Sequence, residues 1–536
     1  MYTNKKVTQL ILSLSIEEKV GQLFILAFAG EDKDYAFDLI KTMHVGGFYI
    51  TDDNAHTKKD ATILASQLQL QAALRACNAP LILGVDQEGA WGILTKETDL
   101  GPGNLALGIV DDIKITEKMY RVFAQQMKSI GYNTLLSPCA DVNSDPDNPI
   151  IGQRAFGEEP MHVARHVAAA VKGISQGDNL SCAKHFPGHG DTHTDTHQTL
   201  PVVDKSFEQL MSQDLIPFKK AIDENVSMIM TSHIKYPQID ETYPATLSYK
   251  ILTELLKNQL NFNGLIITDS MNMWAMRKNY LPHESAILAL KAGAHLIMLS
   301  EEHYENGITD YKEIQKQTIN GVIEAVKQGE LNESIIDSAL SHVLCYKYTN
   351  ICLNQSKEAL SEKECTHISN FSAIQAIKTL KNDAGHWPLK TAHFNITFAA
   401  NPKGYDNIVN SRGIGPNDPR TARDTILSSL NKCKCHYSHI SYQDFQIMLQ
   451  KESSFDSTAP IIIITEDYPL PGDRFDTDAQ IKIVNKAIKI WHDKVIVIGM
   501  RSDYELKKYH DLKTYICAYS SRVVSAQAVA NALIQT

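Results

Sequence analysis

The stretch Gly264-Leu265-Ile266-Ile267-Thr268-Asp269 is a short apolar run that ends on a single carboxylate. An uninterrupted aliphatic and β-branched run of this length is typical of a strand that is buried on both faces of a parallel sheet. The stretch therefore predicts a buried strand whose carboxyl end presents Asp269.

Similar runs recur along the chain and are separated by segments with a helical pattern. The eight runs are residues 23–28, 45–50, 81–85, 133–137, 180–183, 227–230, 264–268 and 295–299. Helix-like segments between them include residues 61–77, 115–130, 161–173, 207–224 and 247–260. Eight alternating strand and helix units within about 300 residues predict an α/β protein with a (β/α)8 TIM-like barrel.

The alternation changes near Ile351, which indicates a domain boundary. We predict a catalytic barrel domain over residues 1–350, a linker over 351–371 and a smaller C-terminal α/β sandwich domain over 372–536. The second domain is expected to open with a helix at 372–380. Four apolar runs, residues 396–399, 461–464, 495–498 and 515–518, predict its strands. A chain of 536 residues also exceeds the usual span of one hydrophobic core.

The composition excludes several classes of protein. Hydrophobic residues make up 43% and charged residues 21%, which argues against a disordered or fibrous chain. A formal net charge of −10 disfavours contact with phosphate backbones, so no nucleic acid partner is expected. No run reaches the roughly 18 apolar residues of a membrane-spanning helix, so no membrane association is expected.

The cysteines and the amino terminus predict a cytoplasmic location. The nine cysteines are scattered without the spacing of a disulfide framework, which suits a reducing compartment. The first residues lack the small-residue cleavage site of a signal peptide. A periplasmic or surface location would follow if a leader had been removed.

Ionisable residues follow five of the predicted strands, either directly or within a few residues. These residues are Asp86, Asp141, Lys184 with His185, His233 and Asp269. Active sites of (β/α)8 barrels lie at the carboxyl ends of the strands, where these side chains would meet. One or two of them would be ordinary loop polarity, but five strands that end in this way indicate a site.

The segment from Lys184 to His197 holds four histidines and two aspartates within fourteen residues. Histidines four residues apart would share a metal-binding face on a helix, but Pro187 and its neighbouring glycines break a helix there. We therefore predict a loop at the barrel mouth and expect neither a metal nor a cofactor. Asp195 and His197 would project the same way in an extended stretch, so the carboxylate can orient the imidazole as a proton donor.

A carboxylate on one strand end and a proton donor on another are the pair that a retaining glycosidase needs. Asp269 alone is weak evidence, because an aspartate after a buried strand often caps the next helix. Together with Asp195 and His197, it predicts a site for cleaving a glycosidic bond.

Three motifs are specific enough to suggest a family. They read Lys-His-Phe-Pro-Gly-His-Gly-Asp at 184–191, Asp-Thr-His at 195–197 and Thr-Asp-Ser-Met-Asn-Met at 268–273, with supporting matches at 84–89, 152–157 and 230–234. Together they resemble glycoside hydrolase family 3, and more narrowly its bacterial β-N-acetylglucosaminidase branch. The resemblance covers nearly the whole chain, because residues 376–382 and 387–389 resemble the start of the family's second, sandwich-like domain.

The resemblance implies a role for each candidate residue. Asp269 would be the nucleophile and His197, oriented by Asp195, the general acid/base, because in this branch an Asp-x-His pair replaces the glutamate of other members. The implied substrate-binding residues are Asp86, Arg154, Lys184, His185 and His233. The implied activity is that of a retaining, exo-acting β-N-acetylglucosaminidase. Its partner would be a small carbohydrate substrate. The enzyme would remove terminal non-reducing β-GlcNAc from peptidoglycan fragments or chitooligosaccharides.

One stretch departs from the family pattern and leaves alternatives open. The family usually continues with Gly-Arg and a further arginine, whereas this chain reads Ala90-Trp91-Gly92-Ile93-Leu94. Trp91 and Leu94 thus stand where cations are expected, and a β-glucosidase remains an alternative. A GlcNAc phosphorylase is another, because a neutral acid/base would not repel phosphate. A metal-dependent hydrolase and a sugar-binding protein are weaker alternatives, and the oligomeric state is left open.

Overall fold

Eight parallel strands form the first sheet of the computed structural model. They are β1 (Phe24–Leu26), β2 (Gly47–Tyr49), β3 (Ile82–Val85), β4 (Thr134–Leu135), β5 (Leu180–Phe186), β6 (Met228–Thr231), β7 (Leu265–Ile267) and β8 (Ile297–Leu299). Their spatial order follows the chain, and β1 lies beside β8. A parallel bridge between Ile267 and Leu296 joins the two remaining edges, so the sheet closes into a barrel.

The structure describes most of the chain, in eleven segments. The described residues are 4–89, 92, 94–148, 150–192, 200–300, 310–351, 359–391, 393–403, 420–452, 459–466 and 476–534.

Helices cover the outside of the barrel. They are α1 (Asn4–Ser13), α2 (Ile16–Gly21), α3 (Lys33–Thr42), α4 (Lys58–Ala73), α5 (Asn104–Val110), α6 (Ile113–Ser129), α7 (Pro160–Gln176), α8 (Phe207–Ser212), α9 (Leu215–Asp223), α10 (Trp274–Arg277), α11 (Pro282–Ala292), α12 (Tyr311–Lys327) and α13 (Glu333–Asn350). A further helix spans Lys250–Gln259, and single turns span Gly152–Arg154 and Ala245–Leu247. None of the described helices is long and apolar enough to cross a bilayer.

Local signals in the sequence set the ends of the helices. The side chain of Asp112 accepts a hydrogen bond from Lys114 N at the start of α6, and Glu159 does the same for Met161 N and His162 N at the start of α7. Such capping satisfies N–H groups that have no partner inside the helix. Both helices then turn an apolar face toward the barrel, where their residues join one continuous core.

Six strands form the second sheet, in the order β11-β10-β12-β13-β14-β9. They are β9 (Lys378–Asn382), β10 (Phe394–Phe398), β11 (Tyr437–His439), β12 (Ile461–Thr465), β13 (Val495–Gly499) and β14 (Thr514–Cys517). The helices on its faces are α14 (Glu362–Ala376), α15 (Ala422–Lys432), α16 (Tyr442–Lys451), α17 (Thr477–Trp491) and α18 (Val523–Ile534). Strand β9 pairs antiparallel to β14, and the other pairings are parallel. The predicted fold class, a (β/α)8 barrel followed by a smaller α/β sandwich, is confirmed.

The first helix of this region begins earlier than the sequence suggested. The sequence predicted a helix at 372–380, inside the second domain, whereas α14 starts at Glu362. The Ser361 side chain accepts from Glu364 N and Glu364 receives the Ser361 N–H, a capping box that fixes this start. Residues 378–380 belong to β9 instead of a helix. The domain boundaries at 350 and 371 stay a prediction.

Helix α5 of the barrel covers part of the second sheet. Ala106 belongs to the same apolar cluster as Ile461, Ile463 and Val497 of that sheet, and Leu105, Ile109 and Val110 pack against the cluster. Arg522 reaches across as well, since its Nε lies 2.6 Å from Gly89 O. The two sheets are therefore joined through α5 and the loop after β3.

Candidate active site

The predicted ionisable residues gather at one end of the barrel. Asp86 follows β3, Lys184 and His185 lie within β5, and Asp269 follows β7. Parallel strands bring their carboxyl ends to the same rim, as is usual for sites of this fold. The contacts between these side chains define a buried charge network.

Lys184 joins the two acidic residues that follow β3. Its Nζ lies 2.6 Å from Asp86 Oδ1 and 2.7 Å from Glu88 Oε1. Tyr49, at the end of β2, donates its hydroxyl to Asp86 Oδ2 at 3.0 Å. The nearby acids raise the pKa of the buried Lys184, so it stays cationic.

Arg154 closes the network from the loop after β4. Its Nε and Nη2 donate to the two oxygens of Glu88 at 3.0 and 2.9 Å, a bidentate pair. Burial alone would raise the pKa of Glu88, but the charges of Arg154 and Lys184 lower it to about 2. Asn104 Nδ2 donates to Arg154 O at 2.6 Å, which fixes the turn that carries the arginine. Glu88 is therefore ionised, and it orients the side chains of Arg154 and Lys184.

His185 is held by Asp141 from the loop after β4. The His185 Nδ1 lies 2.8 Å from Asp141 Oδ2, and the backbone N–H groups of His185 and His189 donate to the same carboxylate. Burial would raise the pKa of Asp141, but His185 and the other donors keep it well below its usual range. Arg154 Nη2 lies 3.4 Å from His185 Nε2 and can act only as a hydrogen-bond donor. The Nε2 of His185 is therefore an acceptor, and its Nδ1 carries the proton.

Cys139, Asp141 and His185 offer ligand atoms within 4.8 Å of one another, which raises the question of a metal at this point. Cys139 Sγ donates to Asp141 Oδ2 at 3.2 Å, and burial raises the pKa of this thiol well above its usual value. A protonated thiol is a poor ligand, because metals bind the thiolate. The contacts suit a hydrogen-bonded support for His185.

Asp269 is partly exposed at the end of β7, and one of its oxygens is held by the backbone. Its Oδ1 accepts from Ser270 N at 2.7 Å. Burial would raise the pKa of Asp269, but His185, His233 and this N–H lower it below the usual 3.8. The side chain is thus an ionised carboxylate at the rim, within the electrostatic reach of the network.

His233, at the end of β6, contacts the loop that carries Asp269. Its Nε2 lies 2.9 Å from Ser270 O, to which it donates, and its Nδ1 lies 2.9 Å from Thr246 Oγ1. The ring is almost fully buried. His233 therefore lies beside Asp269 and braces the residue after it.

Several predicted residues fall outside the described part of the chain. Asp195 and His197 lie in residues 193–199, and Trp91 lies next to the described Gly92. Leu94 is described and is fully buried, in the core of the barrel. The sequence motif leaves Asp195 and His197 as predictions.

Sequence reasoning did not assign a role to three residues of the network. Glu88 belongs to the motif at 84–89, Asp141 follows a predicted strand and Tyr49 belongs to the predicted run at 45–50, but none of these patterns indicates a role in a charge network. Tyr49 lies at the end of β2, so the strand-end rule would have indicated it as well if polar aromatic residues had been included. The rule indicated Asp141 but not its contact with His185.

Comparison with known proteins places the chain among glycosidases. Residues 15–345 match the sequence profile described as the glycosyl hydrolase family 3 N terminal domain. Beta-hexosaminidase A of Pseudoalteromonas piscicida is 29% identical over 427 residues, which are 72% of this chain and 71% of that protein. A beta-N-acetylglucosaminidase/beta-glucosidase of Cellulomonas fimi is 25% identical over 392 residues, with 70% and 66% covered.

A solved structure is similar over both sheets. The family 3 beta-N-acetylglucosaminidase from Paenibacillus sp. str. FPU-7 superposes with a TM-score of 0.83 at 26% identity. The match covers 97% of each chain.

Proposed function

The chain belongs to glycoside hydrolase family 3, and from this membership we propose a retaining, exo-acting β-N-acetylglucosaminidase. Its reaction is the hydrolysis of a terminal non-reducing β-GlcNAc residue through a covalent glycosyl-enzyme. The observation that carries the proposal is the ionised Asp269 beside a preorganised network of buried charges at the barrel rim.

In the first step, His197 donates its proton to the glycosidic oxygen while Asp269 attacks the anomeric carbon. The bond between that carbon and the leaving oxygen breaks, and an ester bond to the Asp269 carboxylate forms. Asp195 stabilises the imidazolium before the transfer and orients the ring. The low pKa of Asp269 keeps the nucleophile ionised at neutral pH.

In the second step, neutral His197 removes a proton from water, which attacks the anomeric carbon from the side that the aglycone left. The ester bond to Asp269 breaks and His197 is again protonated. Two inversions give net retention of configuration.

The buried network supplies the sugar-binding groups in this proposal. Asp86, Arg154, Lys184 and His185 are each held by partners within the protein, so little ordering is needed when a sugar binds. Charged groups form the stronger hydrogen bonds with hydroxyls. The role of His233 is to position the loop after β7.

The names of the relatives support the proposed substrate. The relatives from Pseudoalteromonas and Paenibacillus carry the names beta-hexosaminidase and beta-N-acetylglucosaminidase, which supports a GlcNAc-releasing activity here. We propose peptidoglycan fragments or chitooligosaccharides as natural substrates and the cytoplasm as the compartment.

The test compares 4-nitrophenyl β-N-acetylglucosaminide with the corresponding β-glucoside, for wild type and for Asp269→Asn. A strong preference for the acetamido sugar is expected, and Asp269→Asn should lower kcat/KM by at least about 1,000-fold. Asp223→Asn is the matched control, because this exposed carboxylate contacts only Lys220 among the ion pairs described. Proton NMR of the first product should show the β-anomer.

Each alternative has its own outcome. Equal or faster cleavage of the glucoside would replace the proposed substrate but leave the mechanism intact. A sugar 1-phosphate formed only when phosphate is present would make the enzyme a phosphorylase. Unchanged activity of Asp269→Asn would refute the mechanism.

A further inference from the structure

We propose that Asp111, His162 and His166 form a binding site for a divalent transition metal, of the class of Zn²⁺ or Co²⁺, outside the active site. His162 and His166 lie four residues apart on α7, so their rings project from the same face of the helix. Asp111 ends α5 and faces them. The ligand atoms of the three side chains all lie within 4.8 Å of one another.

The distances between these atoms match those around a tetrahedral ion. Asp111 Oδ1 lies 3.4 Å from His162 Nδ1 and 3.7 Å from His166 Nε2. Ligands about 2.0–2.1 Å from a tetrahedral zinc lie about 3.3 Å from each other. Small side-chain rotations would therefore suffice for all three to bind one ion, with a fourth position for water.

A cationic group already contacts two members of this cluster. Arg165 Nη2 lies 3.2 Å from Asp111 Oδ1 and 3.3 Å from His162 Nδ1. Arginine can only donate, so the Nδ1 of His162 presents its lone pair, the form that binds a metal. The Arg165 side chain is 52% exposed and is held by a surface ion pair, which contributes at most about 1 kcal/mol. It can be displaced into solvent at little cost.

His166 is the buried member of the site, and its ring is fixed before any ion binds. Its side chain is fully buried, stacked on Phe156, and its Nδ1 lies 2.8 Å from Thr116 Oγ1. Its Nε2 has no hydrogen-bond partner and points toward Asp111 at a distance too long for a hydrogen bond. Histidine ligands of metals commonly donate their second ring N–H to an oxygen in this way.

The position of the site suggests that the ion braces the joint between the two sheets. Asp111 terminates α5, whose Ile109 and Val110 pack against the second sheet and whose Asn104 holds Arg154 O. An ion shared with α7 would fix the end of α5. We therefore expect the ion to raise thermal stability more than it changes turnover.

The experiment uses the enzyme of 536 residues after dialysis against a chelator. Isothermal titration calorimetry with Zn²⁺ should show one site, and Co²⁺ should give the intense visible absorption of a four-coordinate ion. Asp111→Asn should weaken Zn²⁺ binding at least about ten-fold, because a carboxamide is a poor ligand but tolerates the left-handed backbone at φ 55°. His162→Gln should do the same.

Arg165→Ala supplies a readout in the opposite direction. It should tighten Zn²⁺ binding, because the competing cation is gone. Lys172→Ala, on the same helix and 54% exposed, removes the same charge elsewhere and should leave the affinity unchanged. If Zn²⁺ bound in the active site instead, its affinity would be the same in all four variants. That result, or no binding by the wild type, would overturn the proposal.

Discussion

Lys184 Nζ lies 2.6 Å from Asp86 Oδ1, although the two residues are 98 positions apart in the sequence. The pair spans the barrel rim from β5 to the end of β3, with β4 between them. Lys184 is almost fully buried, and it also contacts Glu88. Its charge therefore offsets the fully buried Glu88 and the partly buried Asp86.

Lys184→Met should destabilise the protein by about 3–5 kcal/mol, because it leaves the buried Glu88 and the partly buried Asp86 without their shared cation. The free energy of unfolding can be measured by urea denaturation. Glu88 is not a suitable second site for testing this charge balance. The shorter asparagine of Glu88→Asn would also lose the contact with Arg154. The double variant Lys184→Met with Asp86→Asn should instead recover part of the lost stability. Equal stability of the single and double variants would contradict the proposed charge balance.

Asp141→Asn should raise KM by about ten- to one-hundred-fold, the range expected when a hydrogen bond to a charged group is lost. An amide at this position can donate to His185 Nδ1 and would move the ring proton to Nε2, which faces Arg154. Steady-state kinetics of the folded variant measure the effect. Cys139→Ser is the control, because it keeps a donor to the same carboxylate, and its KM should match that of the wild type.

Stability should fall as the pH drops from 7 to 5. Burial lowers the pKa of His189 to about 4, helped by the neighbouring His185, whereas an unfolded histidine titrates near 6.5. Between these values the unfolded chain binds a proton that the folded chain does not. His189 alone should therefore remove about 2 kcal/mol from the free energy of unfolding over this interval.

Urea denaturation at several pH values checks this expectation, with His189→Asn as the comparison. The variant should be less stable at pH 7 but should lose less stability on acidification. A slope equal to that of the wild type would exclude His189 as a source of the pH dependence. Below about pH 4.5 the low pKa of Glu88 adds a second loss of the same sign, because an unfolded glutamate then takes up protons.

The barrel could be predicted from sequence because its strands are short, apolar and buried. Each of the eight runs predicted for the barrel overlaps a strand of the first sheet. The strands β9 and β11 escaped prediction for the opposite reason. They lie at the edges of the second sheet, and their exposed, polar residues show no apolar alternation.

The site could be predicted only in part. The strand-end rule indicated Asp86, Lys184 and Asp269, because each is the first charged group beyond or within a buried run. It could not indicate that Glu88 would be enclosed between Arg154 and Lys184, since that depends on how the loops after β3 and β4 meet strand β5. Burial of a charge is a tertiary property and leaves no local pattern.

Kinetics of His233 variants distinguish two roles for this residue, sugar binding and positioning of Asp269. The sequence placed it among substrate-binding residues, whereas its Nε2 contacts Ser270 O, directly after the proposed nucleophile. If it positions Asp269, His233→Leu should lower kcat by about ten- to one-hundred-fold with little change in KM, because a small misplacement of a reacting group is costly. His233→Asn, which retains a donor, should recover part of the rate. A rise in KM with unchanged kcat would instead assign His233 to sugar binding.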